Sequence, residues 1–172
     1  MPLFSAVWRR NTARVLPVDP DGRVLLLRGW DPLRPRDRYW FTVGGAAHRD
    51  EPLRSAAVRE MREEVGLVVA ESQLGEPLET STIEWSQLRV RIVQDQSYFA
   101  VAVPTGTTVS LAGMAWLERL TVRRHAWLSP EDLEADPVRS ADPRLPDVMR
   151  LAVTAILGLG ISGRAIMLAV KR

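Results

Sequence analysis

Residues 44–67 read GGAAHRDEPLRSAAVREMREEVGL, and this stretch decides the fold of the chain. Gly44 and Gly45 follow an apolar run, where glycine lets a strand turn sharply into a loop. Acidic residues directly before Pro52 are typical of a helix N-terminus, and Gly66 is typical of the residue just past a helix end. The stretch therefore predicts a strand, a turn, and a helix from near residue 51 to near residue 65.

Three carboxylates share one side of this predicted helix. Glu60, Glu63 and Glu64 stand at positions i, i+3 and i+4, which face the same way on a helix. They repel one another, and they lie in the C-terminal half, where the helix dipole also disfavours negative charge. We therefore expect a cation among them. Oxygen ligands of this kind suit a hard divalent ion such as Mg²⁺ or Mn²⁺.

The spacing of these residues resembles the signature of the Nudix hydrolase family. The positions that match the family pattern are Gly45, Glu51, Arg59, Glu60, Met61, Glu63, Glu64, Gly66 and Leu67. Met61 is unbranched where the family usually has a branched aliphatic residue, and Val43 replaces a proline that many members carry before the paired glycines. Neither difference removes a ligand.

The resemblance implies an α+β fold, namely an α/β/α sandwich with a mixed central sheet. We expect one domain over residues 1–172, with a core at about 11–158 and a C-terminal extension at 159–172. Because 172 residues with 46% hydrophobic composition can form a sizeable core, the length agrees with a single domain.

The family resemblance also implies a reaction. It is the hydrolysis of a diphosphate linkage in a nucleoside diphosphate joined to another group, by attack of a metal-activated water. The carbonyl of Gly45 and the carboxylates of Glu60, Glu63 and Glu64 would bind Mg²⁺ or Mn²⁺. Glu63 or Glu64 would take the proton of the water. Glu51 and Arg59 would hold the carboxylates in place, because groups that bond to metal ligands fix the orientation of those ligands.

The general base stays open at this point. Some members of the family add a glutamate from a late loop, just before an apolar strand, but here Ala126 precedes Trp127. The nearest substitutes are Glu118 and His125.

Four residues are candidates for binding the substrate. Arg28 ends a predicted strand and suits a phosphate. Gln94 and Tyr98 lie near one another in sequence and offer polar and aromatic contacts, and His125 completes the set. The marks of particular substrate subfamilies are absent, so the substrate is not assigned.

Composition bears on the cellular compartment and on the kinds of partner that the protein can have. Cysteine is absent, so disulfides and thiolate metal sites are excluded, and we expect a cytoplasmic protein. The longest apolar segment, 151–161, is too short to span a bilayer. No long basic run indicates nucleic-acid binding. The tail at 161–172 predicts a helix continuation, a late strand, or a segment that buries its apolar side in a homodimer.

The remaining pattern predicts a hairpin, several strands and two further helices. The predicted elements are strands at 14–18, 24–28, 39–43 and 123–128, strands at 88–93 and 98–103 or one long strand across them, loops at 29–38 and 105–114, a short helix after Ser129, and a helix at 146–158.

Two other functions are considered. A catalytically silent regulatory domain would bind a nucleotide without releasing product. An isomerase of prenyl diphosphates on a related fold would need an active-site cysteine, which this chain lacks.

Overall fold

The computed structural model describes residues 6–31, 34–87 and 90–169. The strands and helices in these ranges, in chain order, are β1 (Ala6–Val18), β2 (Val24–Asp31), β3 (Arg34–Thr42), α1 (Leu53–Val65), β4 (Glu79–Gln87), β5 (Val90–Ala102), α2 (Trp116–Thr121), β6 (Val122–Leu128), α3 (Pro130–Ala135) and α4 (Leu145–Ala169). Single 3₁₀ turns occur at Glu71–Gln73 and Leu111–Gly113.

The strands form one mixed sheet in the order β3-β2-β1-β5-β4, with β6 also paired to β2. β1 and β5 run parallel along their whole length, from Ala6↔Val90 to Val18↔Ala102. The other strand pairs are antiparallel. The chain after β3 also joins β1, because the Val15 N–H donates to the Val43 carbonyl (2.8 Å).

Alternating side chains place one apolar core on each face of the sheet. The first core contains Ala13, Val15, Leu25, Leu27, Phe99 and Val101 with Ala56, Ala57, Met61 and Val65 of α1. The second contains Leu16, Val18, Val24, Leu26, Trp40 and Ala100 with Val148, Met149 and Ala152 of α4. The predicted α+β sandwich with a mixed sheet is therefore confirmed.

Helix α1 ends as predicted but starts slightly later. Gly66 follows it with φ of 71°, the left-handed conformation that glycine adopts readily. Pro52 precedes the first turn, and no side chain caps it. Glu51 is not a cap, because its carboxylate accepts instead from the His48 N–H (2.8 Å).

Two parts of the sheet differ from the prediction. The predicted loop at 29–38 was wrong: β2 and β3 extend through most of it as a hairpin, with Gly29↔Tyr39 and Trp30↔Arg38 paired. Strand β4 was not predicted. Both segments carry exposed polar residues in place of apolar alternation, so their sequences resemble loops although their backbones pair.

The later predictions mostly hold. A single long strand, β5, covers most of the two predicted segments, although Leu88 and Arg89 lie outside the described residues. The hydroxyl of Ser129 caps α3 by accepting from the Asp132 N–H (3.0 Å).

Helix α4 runs further than predicted, to Ala169, so the tail continues the helix up to that residue. Its burial in a homodimer stays a prediction. Among the described residues no helix is both long enough and apolar enough to cross a membrane.

The two faces of α4 yield a test of the fold. Met149 is fully buried, whereas Leu151 is 46% exposed. We expect Met149→Ala to lower the free energy of unfolding by about 2–5 kcal/mol, because the change leaves a cavity in the core. Leu151→Ala should change it much less. Urea unfolding of both variants measures the difference, and equal effects would contradict this packing of α4.

Candidate active site

The turn after β3 brings helix α1 onto the sheet. Gly44 has φ of 129°, and a Cβ there would lie 2.1 Å from the carbonyl oxygen of Ala13, so only glycine fits. The Gly44 N–H donates to Oε2 of Glu64 at 2.7 Å. The turn thus binds β1 on one side and a carboxylate of the helix on the other.

Gly45 packs directly against a second carboxylate. A Cβ at Gly45 would lie 2.4 Å from Oε1 of Glu60, so the missing side chain makes room for this carboxylate. The Gly45 carbonyl accepts from the Ala13 N–H (3.1 Å), which leaves it a second lone pair. Glu60 and Glu64 are 8% and 5% exposed. Two nearly buried carboxylates therefore meet at one glycine turn.

Burial dominates the electrostatics of these two groups. Burial raises the pKa of Glu64 to about 8, against the opposing effect of the Gly44 N–H. Burial also raises the pKa of Glu60, although Arg59 acts in the opposite direction. Their charged forms are disfavoured in the protein alone, and a cation placed between them would stabilise those charged forms.

Arg59 connects the carboxylates of the helix to the preceding loop. Its Nη1 donates to Glu60 (2.7 Å) and Glu63 (3.1 Å), and its Nε donates to Glu51 (2.9 Å). Its Nη2 donates to Glu51 and to the carbonyl of Ala46. The bond from Arg59 is the main reason that the pKa of Glu51 falls to about 2. Arg59 therefore fixes both the helix carboxylates and the loop.

The donor set fits a hard divalent cation. Two carboxylates and a carbonyl oxygen, from Glu60, Glu64 and Gly45, are the oxygen ligands that Mg²⁺ accepts. Glu63 is not part of this donor set in the structure. Its side chain is 44% exposed and forms an ion pair with Arg59. In the ranges that the structure describes, no three acidic or histidine side chains are already gathered around one point. Glu63 would have to leave Arg59 to join the others.

These carboxylates border a cavity of about 660 Å³. Arg10, Thr12 and Arg14 of β1 line it together with Gln94 of β5. The aromatic side chains that line it belong to Tyr39 and Phe41, whose ring centroids are 5.7 Å apart. A polar surface from β1 and β5 and two aromatic rings thus face the same space as the carboxylates.

Glu118 of α2 lines the same cavity. Burial is the main cause of the raised pKa of Glu60 and Glu64, and the charge of Glu118 adds to both. Its Oε2 accepts from the Ala115 N–H (3.2 Å). His125 pairs with Leu27 inside the sheet and does not line this cavity. Of the two late candidates, the structure places Glu118 beside the helix carboxylates.

The segment that carries Glu118 is attached to helix α1. The Ser110 N–H donates to the carbonyl of Val65 (3.0 Å). A Cβ at Gly113 would lie 2.5 Å from the carbonyl oxygen of Glu63, so the chain passes very close to the helix end there. The position of α2 therefore depends on α1.

The other predicted substrate contacts are dispersed. Tyr98 is buried, and its hydroxyl donates to Asp142 at 2.9 Å. Burial raises the pKa of Tyr98 to about 12. Arg28 lies over the ring of Trp40 (5.6 Å) and borders a separate cleft of about 400 Å³ with Trp30. Of the four candidates Arg28, Gln94, Tyr98 and His125, only Gln94 lines the main cavity.

Sequence reasoning missed the residues of β1 that line the cavity. Arg10, Thr12 and Arg14 alternate with other residues, which indicates that they share one face of a strand. That alternation was a usable signal. It did not reveal which partner strand would place Gln94 and Gln96 beside them.

Comparison with known proteins identifies the family of this chain. The family model described as NUDIX domain matches residues 8–149. No curated protein sequence matches the chain significantly.

Solved structures with the same fold include three of similar size. The MutT protein from Methanosarcina mazei Go1 is 19% identical with a TM-score of 0.59, covering 83% of this chain and 91% of its own. The Ap4A hydrolase of C. elegans is 17% identical with a TM-score of 0.59, covering 87% and 98%. The dihydroneopterin triphosphate pyrophosphohydrolase of E. coli is 22% identical with a TM-score of 0.58, covering 87% and 96%. At these identities the likeness shows the fold.

The network around Arg59 yields a prediction for stability. The side chains of Arg59, Glu51 and Glu60 are 17%, 16% and 11% exposed. We expect Arg59→Met to lower the free energy of unfolding by about 3 kcal/mol in metal-free buffer, because it leaves poorly hydrated carboxylates without their cation. Arg62→Met, on the exposed side of the same helix, is the control. Urea unfolding compares the two, and an equal effect would contradict the bridging role.

Proposed function

Because this chain belongs to the Nudix domain family, we propose that it is a divalent-metal-dependent hydrolase of diphosphate linkages. Its substrate would be a nucleoside diphosphate joined to another group. One observation carries the proposal: the carboxylates of Glu60 and Glu64 lie nearly buried against the Gly44–Gly45 turn, at the edge of a 660 Å³ cavity. A purely structural helix face would have no reason to bury two carboxylates beside an open cavity.

Mg²⁺ or Mn²⁺ would be held by the carboxylates of Glu60, Glu63 and Glu64 and the carbonyl of Gly45. A divalent ion there supplies neutralisation of negative charge on phosphate oxygens and makes water more acidic. The buried position of Glu60 and Glu64 supports this role, because a low-polarity site strengthens their attraction to a cation.

Side chains of the protein would orient the metal-binding carboxylates and the substrate. Glu51 and Arg59 hold the carboxylate geometry through the bonds described above. Phe41 and Tyr39 offer an apolar surface on which a base or another flat group packs. Gln94 lines the cavity with its amide held between Arg10 and Gln96.

The proton of the attacking water needs an acceptor within hydrogen-bond reach. Glu63 and Glu64 remain candidates. Glu118 joins them, because it faces the same cavity from α2 and does not belong to the set of proposed metal ligands.

Charge removal at the helix tests the catalytic assignment. With Mg²⁺ or Mn²⁺ and a panel of diphosphate compounds, we expect Glu64→Gln to lower turnover by at least about a hundredfold, because a preorganised charge is lost. Glu63→Gln should also lower turnover. The control is Glu76→Gln, which removes an exposed carboxylate that pairs with Arg54. Wild-type rates in Glu64→Gln, with the fold intact by circular dichroism, would refute the assignment.

The same panel decides between the enzyme and a silent regulatory domain. Metal-dependent release of nucleotide or phosphate supports the hydrolase. Retained nucleotide binding without any product supports the regulatory domain, and the proposal would then be withdrawn.

A second pair of variants separates Glu118 from His125. Glu118→Gln keeps an oxygen that accepts from the Ala115 N–H, but it removes the charge facing Glu60 and Glu64. We expect a fall in kcat of about tenfold or more, as for loss of a general base. His125→Gln should leave kcat near that of the wild type. The reverse order in steady-state kinetics would favour His125.

A further inference from the structure

The surface that β1 offers to the cavity contains a buried hydroxyl without a partner. Arg10, Thr12 and Arg14 occupy alternate positions of the strand and all line the cavity. Thr12 is 1% exposed, and its Oγ1 has no hydrogen-bond partner. Buried hydroxyls are normally paired, so this one is suited to a ligand in the cavity.

Arg14 is held by neutral groups. Its Nε donates to Oε1 of Gln96 (3.0 Å), and its Nη1 donates to the carbonyl of Gly44 (2.8 Å). Within the described ranges no carboxylate forms an ion pair with Arg14 within 4.0 Å. The guanidinium is therefore held in position by uncharged oxygen atoms.

Arg10 continues the same network. Its Nε donates to Oε1 of Gln94 (2.8 Å), and Nε2 of Gln94 donates to Oε1 of Gln96 (3.1 Å). Both amide oxygens thus accept from within the network. Burial lowers the pKa of Arg10, and the charge of Arg14 lowers it further, so the two cations repel each other. Thr12 stands between them in the sequence of the strand.

We propose that Arg10, Thr12 and Arg14 form a phosphate seat, and that the seat selects substrates with a phosphate beyond the two that flank the cleaved bond. This inference rests on the proposed function. The flanking phosphates would lie at Glu60 and Glu64. A further phosphate at the seat would reduce the repulsion between the arginines and accept a hydrogen bond from Thr12. The substrate class is therefore a linear chain of three or more phosphates, such as a nucleoside triphosphate, in preference to a nucleotide sugar.

Two variants test the seat with substitutions that keep the side-chain volume nearly unchanged. Thr12→Val keeps the volume and removes the hydroxyl. Gln96→Glu keeps an acceptor for Arg14 but cancels its charge, so a merely structural pairing would be strengthened while phosphate binding would be weakened. The control, Arg9→Gln, removes an exposed arginine that pairs with Asp95. All three are made in a Glu63→Gln background, which keeps turnover low.

The readout is calorimetric binding of inorganic tripolyphosphate and pyrophosphate in Mg²⁺, together with thermal stability. We expect tripolyphosphate to bind more tightly than pyrophosphate, and Thr12→Val to reduce this preference by about tenfold, the effect of losing one hydrogen bond to a charged group. The melting temperature of Thr12→Val should be unchanged or higher. Gln96→Glu should also lose the preference, and Arg9→Gln should keep it.

Two binding results would overturn the seat. One is a Glu63→Gln protein that binds both probes equally, and the other is a preference that survives Thr12→Val and Gln96→Glu in that background. The proposed function fails separately: a preference for tripolyphosphate without hydrolysis of any diphosphate compound would keep the seat and refute the enzyme. Equal rates of hydrolysis for nucleoside triphosphates and nucleotide sugars would support the enzyme and refute the seat.

Discussion

The close approach of the Gly44–Gly45 turn to β1 is the constraint on which the rest of the site depends. A side chain at Gly44 would collide with the Ala13 carbonyl, and one at Gly45 would collide with Glu60. Because both glycines lack a Cβ, the backbone can bond to β1 while the carboxylates of α1 reach the turn. The sheet, the helix and the candidate metal ligands are thereby joined within two residues.

Charge in the cavity is divided between two regions. The acidic region belongs to α1 and α2, where burial raises the pKa of Glu60 and Glu64 and a cation would stabilise their charged forms. The basic region belongs to β1, where amides and a carbonyl hold the guanidinium groups. A phosphate chain with its divalent ion carries both signs of charge, so the proposed substrate would complement both regions at once. The separation of the two regions would also orient such a ligand.

Local features were predictable from the sequence, and features set by distant pairing were not. The helix α1, its end at Gly66 and the shared side of its glutamates follow from spacing within one segment. The β2–β3 hairpin and β4 were missed because exposed, polar strands lack apolar alternation. Arg28 lies away from the main cavity, over the ring of Trp40, and no local pattern in its strand indicates this position. The neighbours of Thr12 depend on the parallel register of β1 with β5, which no local pattern specifies.

The attachment of the α2 segment to α1 has a consequence for how this chain tolerates changes in length. Ser110 bonds to the last residue of the helix, Gly113 passes close to the carbonyl of Glu63, and Glu118 follows in α2. Residues 104–109 form an exposed turn ahead of that attachment, so insertions there leave the cavity lining in place. An insertion between Gly113 and Glu118 would instead move the carboxylate out of register with Glu60 and Glu64. Homologous chains should therefore vary in length before the attachment and keep a constant length after it.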